Sequence, residues 1–151
     1  MVMGELVTLY SIEHEILRKQ FDEPRVHMAL VCASRGCPPL RNEPFTGDQL
    51  QQQLVDQTRR FLSSSTRFRI ERGNRCVCLS PIFEWFGIDF VKTYGANAKF
   101  SQRVAERAAL NFVARHVDDR DREYLTQEKY VVKYLGYDWS LNERAPAKPV
   151  S

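Results

Sequence analysis

Residues 67–79 set the strongest constraint on how this chain can fold. Phe68 and Ile70 alternate with Arg67, Arg69 and Glu71, Gly73-Asn74 offers a turn, and residues 76–79 run back. Alternation on both sides of such a pair predicts a β-hairpin with one apolar face. Two strands cannot hold that face together alone, so the rest of the chain must cover it. Most of the rest reads as helix. Residues 101–117 place Ala105, Ala108, Ala109, Phe112 and Val113 on one side. A Thr46 to Gln49 capping box opens a second helix, with Leu50, Leu54, Thr58, Phe61 and Leu62 on its inner face. Its other face, Gln51, Gln52 and Gln53, is expected to be solvated.

Thr8 caps a helix over residues 9–20, whose apolar arc is Leu9, Ile12, Ile16 and Leu17. Glu13 falls inside that arc and His14 at its edge. A carboxylate among apolar side chains costs several kcal/mol unless it is paired. It is read either as one half of a salt bridge or as a group that orients a histidine or binds a cation. Pro24 ends the pattern, and Val26, Met28 and Leu30 then alternate with Arg25, His27 and Ala29. This predicts a buried strand running to Cys32. Ser80-Pro81 opens a short aromatic segment closed by Gly87, and Asp89 caps the turn that follows. Residues 95–99 read as a linker, 118–123 as a solvated charge run and 130–135 as a strand. The tail, residues 144–151, is expected to be disordered. Helices interleaved with a hairpin give an α+β fold over residues 1–143. The expected form is one compact domain, a small, mainly antiparallel sheet packed by three or four helices.

Composition narrows the function. A chain of 151 residues with 43% hydrophobic content buries a core without staples. The net charge of +3 announces no nucleic-acid partner. No apolar run approaches the roughly 18 residues that cross a bilayer. Residues 1–5 lack the basic and apolar regions of a signal peptide, which makes the cytoplasm the default compartment. Four cysteines are too few for a disulfide framework, so reduced thiols are expected. An exported, longer parent would oxidise the Cys32–Cys37 pair.

Residues 25–40 concentrate the chemistry. Arg25, His27, Cys32, Arg35 and Cys37 gather at the end of the expected strand, before Pro38-Pro39. A nucleophilic thiol needs a base or positive charge nearby and a third group to orient the base. Cys37 is the candidate nucleophile and His27 the candidate base, with Glu13 or His14 as the orienting group. Gly36 lets backbone approach a substrate, and Arg25 and Arg35 supply positive charge for binding it. The competing reading is a packed structural cysteine and a hydrogen-bonded core histidine.

Other clusters carry less. Cys32, Cys37, Cys76 and Cys78 match the count for structural zinc but not its paired C-x2-C spacing, so neither metal nor cofactor is assigned. A redox pair at Cys32/Cys37 would have a longer loop than C-x-x-C. Arg59, Arg60, Arg67, Arg69, Arg72 and Arg75 form a basic stretch without interleaved aromatics on the same face, which fits a solvated hairpin better than a nucleic-acid site. His116 reads as a core or helix-end histidine, and Trp85 and Trp139 as core anchors.

Four segments together resemble the domain of unknown function 547 family. They are residues 11–18 (SIEHEILR), residues 25–38 with both cysteines, residues 79–86 (LSPIFEWF) and residues 137–142 (YDWSLN). The resemblance runs from about Thr8 to Asn142. Family members usually carry Ser before the second cysteine, where this chain has Gly36. The family domain also opens upstream with an aromatic-Asn-Tyr-Asn helix that this chain lacks, so the resemblance implies an N-terminally truncated domain. It implies no established activity. Two functions follow: a cysteine-dependent hydrolase or transferase using Cys37 and His27, or a non-catalytic protein-binding or scaffold domain. The partner expected in either case is a protein or peptide.

Overall fold

The structure is a computed structural model that describes residues 6–95 and 102–143. A π-helix (Ser11–Leu17) runs into α1 (Arg18–Gln20) and a corner leads to α2 (Val26–Ala29). After a long loop come α3 (Leu50–Leu62), β1 (Phe68–Glu71) and β2 (Cys76–Leu79). Helices α4 (Ile82–Trp85), α5 (Gly87–Tyr94), α6 (Val104–Val113) and α7 (Asp119–Thr126) precede β3 (Val131–Tyr134). The expected tail and most of the 95–99 linker lie outside the described residues.

The fold is α+β: among the described residues, seven α-helices pack on one small mixed sheet of order β1-β2-β3. The hairpin forms as expected, with Phe68 opposite Leu79 and Glu71 opposite Cys76. Its connection is longer than a Gly-Asn turn. Residues 72–75 make two overlapping turns, and Arg75 takes the left-handed conformation at φ 47°. The third strand pairs with β2 in parallel, Cys76 opposite Val131 and Leu79 opposite Tyr134. A parallel return needs a crossover, which α4 to α7 provide.

The core lies where α3, α5 and α6 meet the sheet. Phe61, Phe83, Phe90 and Phe112 are fully buried, each worth about 1.5–3 kcal/mol in apolar transfer. Phe90 stands 5.0 Å from both Phe83 and Phe112, so the rings form one continuous aromatic cluster. Met28, Val77, Leu79, Leu110 and Leu125 complete it.

Two expectations are corrected here. Residues 26–29 form a helical turn, not a strand. Pro24 begins it, and its carbonyl accepts from the His27 N–H at 3.1 Å. Proline suits a first helical position, and the turn buries the adjacent residues His27 and Met28 together, which alternation forbids. Thr46 does not cap α3 either. Its backbone N–H donates to Gln53 Oε1 at 2.9 Å, while Gln53 Nε2 donates to the Pro44 carbonyl at 2.9 Å. Gln53 is therefore buried rather than solvated, and Gln57 reaches the Pro39 carbonyl in the same way. These two amides hold the long loop after Cys37 against α3.

Candidate functional site

Cys32 and Cys37 are joined as a disulfide across a loop stitched to the C-terminal segment. Arg35 N–H donates to the Ser140 carbonyl and Gly36 N–H to the Asp138 carbonyl, both at 2.9 Å. Arg67 braces the loop from below, donating to the Cys37 carbonyl at 2.7 Å. Cys32 is exposed and Cys37 buried. Two donors face the Cys37 sulfur, Cys32 N–H at 3.0 Å and the Tyr137 hydroxyl at 3.3 Å, while the Ser34 hydroxyl, 3.8 Å from the sulfur, donates to the Tyr137 oxygen at 3.3 Å. Donors placed this way stabilise a thiolate relative to a thiol.

His27 sits on α2 with its side chain 1% exposed, stacked on Phe86 at 4.0 Å. Its Nε2 lies 3.0 Å from Asp89 Oδ2, which also accepts from Arg18 Nε at 2.6 Å. Burial pushes the imidazole down to about 4, outweighing the Asp89 carboxylate. Burial alone would raise the Asp89 carboxyl, but the hydrogen bonds from Arg18 and His27 hold it below its ordinary value. At neutral pH the pair is thus a neutral imidazole beside a carboxylate. The carboxylate can only accept, so Nε2 carries the hydrogen and Nδ1 keeps its lone pair.

The two half-sites open on one cavity of about 280 Å³. Glu13, His27, Cys37, Trp85, Tyr137 and Trp139 all line it. The π-helix brings Glu13, α2 brings His27, α4 brings Trp85, and the segment after β3 brings the other two rings. The imidazole is not among the hydrogen-bond partners of the Cys37 sulfur, which is occupied by its disulfide.

The family model described as DUF547, a protein of unknown function, matches residues 1–62. That stretch of the chain is similar to the DUF547 family. Comparison with curated proteins and with solved structures finds no match. The matched segment holds Glu13, His27, Cys32 and Cys37. Asp89 and the three aromatic rings lie beyond it.

The remaining sequence candidates are placed as follows. His14 does not line the cavity; its Nδ1 accepts from Arg18 at 2.8 Å and its ring meets Tyr10. Arg25 is committed to Glu23 and Gln51, away from the thiols. Arg35 faces a neighbouring hollow on the other side of Tyr137. Trp85 and Trp139 are not core anchors: they are 46% and 69% exposed and stack on each other at 5.6 Å. Each ring is polar at one edge and broad in area, which suits a cavity rim. Gly36 is explained by Tyr137, since a Cβ there would come within 2.8–2.9 Å of its ring carbons.

The basic stretch is largely occupied, with Arg69 on Glu71, Arg72 on Asp121 and Arg67 on the cysteine loop. The four cysteines occupy two separate places, which excludes a shared four-thiol site. Among the described residues, Glu71, Cys76 and Cys78 bring donor atoms within 4.8 Å of one another. Both Glu71 oxygens already accept, from Arg69 and Asn74, and burial pushes the Cys78 thiol up to about 11. Asp89, Tyr137, Ser34 and Arg67 escaped the sequence reading as site residues. Asp89 had a signal: it stands one helical turn from Phe86 and next to Phe90, where a carboxylate requires partners.

Proposed function

We propose that this chain is a thiol-dependent hydrolase or transferase acting on an amide or thioester, held in reserve by its disulfide. The observation that carries the proposal is the single cavity shared by Cys37 and a His27 whose ring is fixed by Asp89. A low-molecular-weight thiolate attacks the exposed Cys32 sulfur and the S–S bond breaks. Cys37 leaves as the thiolate, received by the donors around it. The Cys37 thiolate then adds to the substrate carbonyl and expels the amine or thiolate, giving an acyl-cysteine. A proton held on His27 Nδ1, taken from the Cys37 thiol as the thiolate forms, passes to the leaving group; in deacylation Nδ1 takes a proton from the attacking water and returns it to the Cys37 sulfur as the acyl–sulfur bond breaks.

The test is labelling by a chloroacetamide probe after reduction, with modified sites located by mass spectrometry. Cys37 is expected to react well ahead of the other three thiols, and His27→Ala to slow it at least about tenfold at pH 7. Slow, uniform labelling of all four cysteines overturns the proposal.

A second reading is a non-catalytic protein-binding domain with the disulfide as a staple. It is favoured by one observation: Cys37 is buried and makes no hydrogen bond to the imidazole.

A further inference from the structure

Glu13 is left over by the thiol chemistry. It sits in the middle of the π-helix, half-buried, and lines the cavity. π-Helical turns recur at functional sites because the extra residue re-aims side chains. Other carboxylates of this region are engaged: Glu15 with Lys19, Glu23 with Arg25, and Asp89 with Arg18. Among the described residues, the Glu13 carboxylate has no hydrogen-bond or ion-pair partner. Arg18, the nearest cation in sequence, is spent on Asp89 and His14.

The cavity lining contains no Lys or Arg, and His27 is neutral there, so among the lining side chains the Glu13 carboxylate supplies the charge, with Arg18 set behind Phe86 and engaged by Asp89. Around it stand three mutually packed rings. Trp85 and Tyr137 are 4.9 Å apart, Tyr137 and Trp139 4.5 Å, and Trp85 and Trp139 5.6 Å. Ring faces attract cations, and a carboxylate behind them adds a charge-assisted hydrogen bond. An anion is repelled by such a lining. A neutral apolar group would desolvate the carboxylate without compensation. A polyol would find few partners, because the Tyr137 hydroxyl already faces Cys37 and Ser34.

We infer that this cavity recognises a cationic group, the ammonium or guanidinium of a peptide side chain, between Glu13 and the rings of Trp85, Tyr137 and Trp139. This deepens the thiol-site reading by naming the class of group that docks beside Cys37. Binding itself needs no reaction and is measurable in the disulfide form.

The chain has two tryptophans and both line the cavity, so intrinsic fluorescence reports occupancy. The full chain, oxidised, is titrated with Nα-acetyl-lysine methylamide and with its norleucine counterpart, which lacks the ammonium. The lysine probe is expected to bind about tenfold more tightly. Glu13→Gln reduces that preference to within about twofold, and Trp139→Ala weakens the lysine probe several-fold. Among the described residues Glu13 has no side-chain partner to lose, and a urea melt confirms that each variant is folded. Equal affinity for the two probes, no binding of either, or a preference unchanged in Glu13→Gln overturns the inference. A lysine preference with an inert reduced Cys37 would keep it and sink the thiol reading; a reactive Cys37 with no preference would do the reverse.

Discussion

Removing the Asp89 carboxylate is expected to destabilise the fold and to release His27, by amounts the geometry allows to be worked out. Asp89 accepts two charge-assisted hydrogen bonds, from Arg18 at 2.6 Å and His27 at 3.0 Å. Bonds of this kind contribute about 1.5–3 kcal/mol each. Arg18 is 22% exposed in its side chain and can recover water, which puts its share at the low end, about 1.5 kcal/mol. His27, at 1%, cannot recover water, and its share stands nearer 2.5 kcal/mol. Asp89→Ala should therefore cost about 4 kcal/mol. Asp89→Asn keeps an acceptor for Nε2–H and should cost about half of that. With a urea slope of about 2 kcal/mol/M, the midpoints fall by about 2 M and 1 M. A double-mutant cycle with His27→Ala isolates the pair, with an expected coupling of about 2 kcal/mol. A loss below about 1 kcal/mol for Asp89→Ala, or additivity within about 0.5 kcal/mol in the cycle, would refute the claim that Asp89 holds the imidazole.

Acidification provides an independent measure. His27 has a folded pKa of about 4 against an ordinary 6.5, so between those values the unfolded chain binds a proton that the native state refuses. Its contribution is complete above pH 6.5 and is lost as pH falls toward 4, about 3 kcal/mol in all. The depressed Asp89 carboxyl acts in a lower window, below its ordinary 3.8. Urea melts at several pH values should show a shallower slope in His27→Gln, with a residue left by half-buried His116, also pushed to about 4. An unchanged slope would contradict the assignment. Gly36→Ala forces a methyl against the Tyr137 ring and should cost about 1–3 kcal/mol in the same melts. A neutral result would show that the ring is free to move.

The hairpin and α3 were legible because alternation and helical periodicity each repeat over enough residues to be unambiguous. The residues of the π-helix were legible as a helix, but not its wider turn, which no pattern of apolar positions marks. The misreading of residues 26–29 has a physical cause. Five residues of apparent alternation also fit a single helical turn at a corner, and Pro24 decides between them. Cys37, His27 and Glu13 could be nominated from sequence because thiol, imidazole and carboxylate lie close along the chain, and all three line one cavity. The orienting group could not be. Asp89 stands sixty-two residues from His27, and only the packing of α5 against α2 brings their side chains together. The rim aromatics were misplaced for a similar reason. A tryptophan's large apolar area reads as core, and the exposure of these two follows from where the segment after β3 lies across α4.

The most direct test of the proposed thiol chemistry is the ionisation of Cys37 itself, freed of its disulfide by Cys32→Ser. That substitution keeps the residue-32 N–H, and Tyr137 and Ser34 are untouched. Alkylation by iodoacetamide across pH 5–10, followed at Cys37 by mass spectrometry, gives its apparent pKa. The donors on the sulfur favour the thiolate and should place the measured value below the ordinary value of about 8.5, with Tyr137→Phe moving it back up. A value at or above about 8.5, unmoved by Tyr137→Phe, would contradict the account.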